Sequence, residues 1–357
     1  MPTPINFNIQ HPLQATWQPM TLSFKSPAQT SRDTLLKRPT WFIRITHQDN
    51  PHHFGIGESA PLFGLSPETA EEMPQQLNAF CQNLQTYGLQ MAMNQVTLPS
   101  LRFGIETALL DLNAGGQRIL FNSPFVTGQQ AIRINGLIWM GDIKTMLNAI
   151  AQKIDVGFSC LKLKIGALDW QAEYQLIKTI RQQFTAQQIE IRLDANGAFS
   201  TDNAMDKLNQ LSDLDIHSIE QPIAPHQTQI MAQLCEQSPI AIALDEELIG
   251  INSKNERIKL LQNIQPAFII LKPTLLGGFN ATIDWINCAN QLKIGWWVTS
   301  ALESNIGLNA LSQWVANLNT DLPQGLGTGQ LFTNNITCPL EQTGEWLQYN
   351  PQKHWDI

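Results

Sequence analysis

The sequence predicts an α/β protein: a (β/α) barrel preceded by a smaller α+β unit. Three observations carry this. Apolar strand-like runs recur with helical segments between them, and the residues near their C-terminal ends are Gly136, Lys164, Asp194, Glu220, Asp245, Lys272, Ser300 and Gly325, spaced by 28, 30, 26, 25, 27, 28 and 25. Such an interval holds one strand, one helix and two loops, the repeat of a parallel sheet. The chain of 357 residues is long enough for a barrel of roughly 250 residues and a second, smaller domain. An open dinucleotide fold would place G-x-G-x-x-G after its first strand, whereas "GLGTGQ" follows the last one, where its glycines permit a tight loop.

In the first third, "ATWQPMTLSF" and "PTWFIRITH" are strand-like, and the polar turn "QDNPHH" leads into "FGIGESAPL", which together make a meander. Between the first two strands, "KSPAQTSRDTLLKRP" is polar and rich in turn residues, so a mobile loop is expected. A helix is expected from Pro67, with Ser66 as N-cap and acidic residues in its opening turn. A second begins after Pro99 and stops at the pair Gly115 and Gly116. The barrel strands follow as "AIRINGLIW", "CLKLKIG", "IEIRLDAN", "HSIEQP", "IAIALDEE", "AFIILKP", "WWVTSALES" and "PQGLGTG". The expected division is 1–105 for the α+β unit, 106–335 for the barrel, and 336–357 for a C-terminal segment returning to the first unit.

The formal net charge of −8, with no Lys/Arg-rich block, argues against nucleic acid or an anionic membrane surface as the main partner. Cys81, Cys160, Cys235, Cys288 and Cys338 are scattered singly, without metal-ligand spacing, and read as reduced thiols. The N-terminus lacks a basic segment followed by an apolar one, and no run approaches the roughly 18 apolar residues of a membrane span. A cytoplasmic location is expected.

Barrel sites are assembled from the C-terminal ends of several strands. In "CLKLKIG" the alternation of a strand aims Lys162 and Lys164 to one side and Leu161 and Leu163 to the other. Alone, that pattern describes a strand half in water. The next three strands, however, end at Asp194, Glu220 and Asp245, and the one after at Lys272. Converging carboxylates repel one another unless a hard cation compensates them. Three carboxylates leave positions for water and a substrate oxygen, as Mg²⁺ prefers, and the absence of His and Cys disfavours zinc. In "DEEL" only Asp245 is in phase with the earlier acids; Glu246 and Glu247 read as supporting or loop residues. Beside such a cation a carboxylate substrate can lose its α-proton to a lysine, provided burial and nearby positive charge lower the lysine from its usual value of about 10.4.

With "KLK", "LDAN", "IEQP", "LDEE" and "LKP" in order at barrel spacing, the chain resembles the enolase superfamily, muconate-lactonizing subgroup, over nearly its whole length. The resemblance implies an enolase-type modified (β/α) barrel with an N-terminal α+β capping domain. It implies Lys164 as the proton-abstracting base, Lys162 as its electrostatic neighbour, and Asp194, Glu220 and Asp245 as ligands of Mg²⁺, with Mn²⁺ the alternative. Lys272 becomes the lysine on the opposite face, a second acid/base in racemases and an electrostatic stabiliser elsewhere. The seventh strand has no His, unlike mandelate-type members, and the eighth has no Asp-x-Asp, unlike dipeptide epimerases.

"INGLIWMG", "GIGESAPLFGLS", "DANGAF", "SALESNIGL" and "GLGTGQLFTNN" resemble the dehydratases of the subgroup. This implies a small-molecule carboxylate as partner and a syn elimination of water, through an enediolate, from a cyclohexadiene carboxylate bearing a succinyl arm. The alternative is an N-acylamino acid racemase using Lys164 and Lys272 as two bases; an idle scaffold barrel would not need the in-phase set. Cap loops around "SRDTLLKR" and "GESAPLFGLS", with Arg32 and Lys37 as candidate contacts, are expected over the barrel mouth. Ser300, Ser304, Gly327 and Thr328 are the candidates for holding the succinyl carboxylate. Glu303 is expected to be structural, and Trp296 and Trp297 to pack in the core.

Overall fold

Three antiparallel strands begin the fold in a computed structural model that describes residues 2–7, 9, 12–29, 34–318 and 320–356. β1 (Leu13–Gln29), β2 (Thr34–His47) and β3 (Asn50–Ser59) pair in that order, with Trp17 opposite Ile43 and Ile43 opposite Gly57. Every second residue of β2, Trp41, Ile43 and Ile45, is buried under α1 (Met73–Tyr87), α2 (Leu89–Asn94) and α3 (Pro99–Asn113). The glycines of "FGIGES" let α3 lie directly on β3: a Cβ at Gly57 would sit 1.8 Å from the Gly104 carbonyl oxygen, and one at Gly55 1.9 Å from that of Ala108.

Two local expectations are corrected here. The polar stretch between the first strands is largely strand, because an antiparallel ribbon pairs through its backbone and leaves one face to water, with Lys25, Thr34 and Lys37 exposed while Ala28 and Arg38 turn inward. Its register shifts between Ser23 and Ala28, and residues 30–33, Arg32 included, lie outside the described residues. The first helix starts at Met73 rather than Pro67. Ser66 instead closes a turn, its N–H and hydroxyl both donating to the Leu62 carbonyl, and Glu68 turns inward to accept from Ser100 N at the start of α3.

The barrel follows. β4 (Ala131–Arg133) and β5 (Gly136–Ile138) precede α4 (Ile143–Asp155), and then come β6 (Cys160–Lys164), α5 (Trp170–Gln183), β7 (Glu190–Asp194) and α6 (Ala204–Gln210). After these run β8 (Ser218–Glu220), α7 (Thr228–Gln237), β9 (Ile242–Leu244), α8 (Lys254–Ile264) and β10 (Phe268–Leu271). α9 (Pro273–Leu276), α10 (Gly278–Gln291), β11 (Gly295–Val298) and α11 (Asn305–Val315) complete it. β5 to β11 form one parallel sheet in chain order.

The run expected as the first barrel strand is divided. β5 joins the barrel, whereas β4 pairs with β13 (Trp346–Tyr349), itself hairpinned to β12 (Leu340–Thr343). Residues 336–356 therefore hold to β4, where Glu345 accepts from Arg133 Nε at 3.0 Å, and the sheet of the cap is met by the residues before them, Phe332 bridging to Phe24. The expected eighth strand is reduced to two parallel bridges, Thr299 with Gly325 and Ile134 with Gln324. These close the ring between the β11 side and residue 134, but a stretch this rich in glycine has too few side chains to pack as a strand. The expected boundary at 105/106 falls inside α3, whose Ile105 and Leu109 join the core of the cap while Phe103 and Leu110 join that of the barrel. Among the described residues no helix is long and apolar enough to cross a membrane, and all five cysteines are free thiols.

Candidate active site

On β6 the alternation falls as the sequence demands. Leu161 and Leu163 are fully buried in the apolar layer around the barrel, and the lysines between and after them face inward. Register then assembles the site: Lys164 lies opposite Asp194 on β7, and Asp194 opposite Glu220 on β8. Asp245 and Lys272 each stand one residue past the end of their strand, β9 and β10. Lys162 Nζ lies 3.0 Å from Asp194 Oδ2 and 2.6 Å from Glu220 Oε2, Lys164 Nζ lies 2.8 Å from Asp194 Oδ2, and Lys272 pairs with Asp245. All six predicted residues meet at one end of the barrel.

Burial and charge compete strongly at this cluster. Burial alone would neutralise Lys162, but Asp194, Glu220 and Asp245 outweigh it and raise its pKa, so the ammonium form persists. For Lys272 the outcome is the same, with Asp245, Glu220 and Glu246 overcoming burial. Burial pushes Asp194 up, yet Lys162 and Lys164 prevail and hold it well below the usual carboxylate range. Glu220 goes the other way: burial and the neighbouring Asp194 raise it well above its ordinary value. Its Oε1 is buried without a hydrogen-bond partner.

Among the described residues no three His, Cys, Asp or Glu side chains are gathered into a ready-made metal cluster, because Lys162 stands between Asp194 and Glu220 and Lys272 pairs with Asp245. The donor chemistry nevertheless fits a hard divalent cation. Three buried carboxylates supply oxygen only, and the unsatisfied Glu220 oxygen is the kind of ligand such an ion takes.

The cavity over this cluster is lined by Lys162, Lys164, Asp194, Asn196 and Lys272 below, and by Leu35, Leu62 and Leu65 of the cap above. Ser300, Gly327 and Thr328 line its side, and the Ser300 and Thr328 hydroxyls are 2.7 Å apart. Ser304 does not reach it. That residue is buried as the N-cap of α11, accepting from Ile306 N and donating to Glu58 Oε2 at 2.6 Å, so its expected contact with a ligand is corrected to a structural bond. Lys37 is exposed and lies outside the cavity lining. Glu303 is structural as expected, accepting from Thr274 Oγ1 and from Ala301 N.

A family model described as Enolase C-terminal domain-like matches residues 145–335, and one described as MenC, N-terminal domain, matches residues 17–112. The o-succinylbenzoate synthase of Desulfotalea psychrophila is 44% identical to this chain, over 94% of it and 98% of that protein. The chain belongs to the o-succinylbenzoate synthase family of the enolase superfamily. The crystal structure of MenC from Desulfotalea psychrophila LSv54 superposes with a TM-score of 0.84 at 41% identity, covering 94% of this chain and 99% of that one. The L-Ala-D/L-Glu epimerase from Bacillus subtilis shares the fold, with a TM-score of 0.82 at 17% identity over 95% of this chain and 96% of its own.

Two residues of this o-succinylbenzoate synthase family member matter at the site without having been singled out by spacing. Asn196, the last residue of "LDAN", accepts from Lys164 Nζ at 2.7 Å and donates through Nδ2 to Glu246 Oε1 at 3.1 Å. Its position two residues past Asp194 was the available signal, since the turn there carries it back over the strand end. Glu58, in "GIGES", accepts from Thr40, Ser304 and Gly307, and so seats the cap on the start of α11. Nothing in its local pattern distinguishes it from a solvated acid.

Proposed function

We propose that this chain catalyses the o-succinylbenzoate synthase reaction: loss of water from 2-succinyl-6-hydroxy-2,4-cyclohexadiene-1-carboxylate, by syn elimination, in menaquinone biosynthesis. The observation that carries the reading is the convergence of Lys162, Lys164 and Lys272 with Asp194, Glu220 and Asp245 beneath one cavity. Asp194, Glu220 and Asp245 would hold Mg²⁺, or Mn²⁺ in its place. When bound, the cation supplies positive charge to the substrate carboxylate as its α-proton leaves.

Lys164 takes the α-proton, the C–H electron pair moves onto the substrate carboxylate as an enediolate, and its return into the ring completes the π-system as the C–OH bond breaks. The same ammonium returns that proton to the departing hydroxyl, so water is released and the ring becomes aromatic. Lys162, held as an ammonium between two carboxylates, and Lys272, paired with Asp245, oppose the negative charge that builds up on the substrate. Leu35, Leu62 and Leu65 cover the cavity and exclude water. Ser300, Thr328 and the Gly327 backbone, which line the cavity, would bind the succinyl carboxylate.

Purified protein with Mg²⁺ and the dienol substrate should generate the aromatic product, followed by its ultraviolet absorbance; no product at any enzyme concentration would overturn the reading. A second reading, an N-acylamino acid racemase, is favoured by one observation: Lys164 and Lys272 both line the same cavity, as two bases require. Incorporation of solvent deuterium into both antipodes of an N-acylamino acid would establish that activity.

A further inference from the structure

Arg38 of β2 is buried, and its guanidinium spends its donors on main-chain carbonyls from both sides of the cavity. Nη1 donates to Pro61 O at 2.5 Å and Nη2 to Ala60 O at 2.6 Å, in the cap segment that continues into Leu62 and Leu65. Nη2 also donates to Ala301 O at 2.7 Å, and Nε to Leu302 O at 2.8 Å, in the loop that follows β11. Leu62, Leu65, Ala301 and Leu302 all line the cavity. The donors of a guanidinium form a rigid planar fork, so bonds to two segments fix the separation between them, which a flexible ammonium would not do.

Leu302 adds a second, independent observation. Its φ is 63°, in the left-handed region that a branched side chain seldom adopts. Such a conformation persists only where the surroundings over-determine it. Here the Arg38 bond holds the Leu302 carbonyl, and its N–H donates to Ser300 Oγ at 3.3 Å. The strained backbone keeps the leucine at the cavity wall.

We propose that Arg38 is a positioning residue that sets the width of the substrate cavity, tying the cap at Ala60 and Pro61 to the barrel at Ala301 and Leu302 and holding Leu302 against the bound substrate. The inference rests on the proposed function for what occupies the cavity. Arg38 touches neither the lysines nor the carboxylates of the site, so its effect falls on how well the substrate is held before chemistry begins. A merely structural arginine would change stability and leave the Michaelis constant alone.

The test is steady-state kinetics with Mg²⁺ and the dienol on Arg38→Lys, Leu302→Gly and the double variant. Arg38→Lys is expected to raise KM by about tenfold while kcat falls by less than about threefold. Leu302→Gly, which takes φ 63° without strain, is expected to raise KM by a similar factor, and the double variant by no more than the larger single effect. Folded Arg38→Lys with the KM of the parent chain, equal losses in kcat and kcat/KM, or multiplying effects in the double variant would overturn the proposal. Should Arg38→Lys fail to fold, an unchanged KM in Leu302→Gly overturns it alone. A parent chain without turnover would instead overturn the proposed function. The clasp is then read from hydrogen exchange: Arg38→Lys must raise exchange at residues 62–65 and at residues 301–302 together, and a rise in one segment only overturns it.

Discussion

Lys164 donates to Asn196 Oδ1 at 2.7 Å, and Asn196 makes that contact from a left-handed backbone with φ of 44°. Its Nδ2 donates to Glu246 Oε1 at 3.1 Å, which leaves Oδ1 turned to Lys164. The amide therefore presents a fixed oxygen to the proposed base. Asn196→Ala removes it, and a hydrogen bond to a charged group contributes about 1.5–3 kcal/mol. The expected result is a kcat lowered by about 10- to 100-fold with KM much less affected. Kinetics within twofold of the parent chain would show that Lys164 is held without it.

Lys164 itself is the sharper test. Replacement by alanine deletes the group that takes and returns the proton, while Leu161 and Leu163 still anchor β6 among the helices. Lys164→Ala should keep its thermal unfolding and lose turnover by about 10²- to 10⁴-fold, the usual contribution of a positioned acid or base. Surviving turnover would move the base elsewhere, with Lys272 the next residue to replace.

Mg²⁺ should act on stability as well as on rate. A ligand that binds only the folded chain stabilises it by about 2.7 kcal/mol at one hundred times its dissociation constant. Glu220 gains most from such an ion, since burial and Asp194 work against its ionised form and Oε1 has no hydrogen-bond partner. The melting temperature of the parent chain is expected to rise with added Mg²⁺ and fall back with EDTA, and that of Glu220→Gln to respond much less. An identical rise in both would remove Glu220 from the proposed ligand set.

The residues at the strand ends were legible because two simple periodicities meet there. Alternation along β6 and one strand per 25 to 30 residues place Lys162, Lys164, Asp194, Glu220, Asp245 and Lys272 at one end of the barrel, whatever the loops do. Ser304 carries no such phase. It is a good N-cap by residue type, and only the approach of Glu58 from a strand 246 residues away shows that its hydroxyl is occupied. The start of α1 was missed for a similar reason: Ser66 and Glu68 look like a helix opening, but both are drawn into contacts with Leu62 and Ser100. The eighth strand followed the spacing of the other seven, yet its glycines leave it as a pair of bridges. For Ser304 and Glu68 long-range partners decided the outcome, and a local pattern does not contain them.

Away from the site, Glu106 predicts a pH dependence of stability. It lies on α3, buried, and accepts from Phe279 N at 2.6 Å in the first turn of α10. Burial pushes its carboxyl up to about 7, with Phe279 N–H and Arg102 only partly opposing it. Between pH 4.5 and 7 the folded chain keeps this proton and the unfolded chain has released it, so folding is favoured at the acid end and stability falls as pH rises through that window. The full loss, reached above pH 7, is about 3 kcal/mol for this one group. Glu106→Gln retains an oxygen for Phe279 N and never ionises. Urea unfolding should find the two proteins similar near pH 4.5, with the glutamine variant increasingly the more stable up to pH 8. A difference that does not change with pH, or one that shrinks as pH rises, would show that Glu106 is ionised in the folded chain across this range.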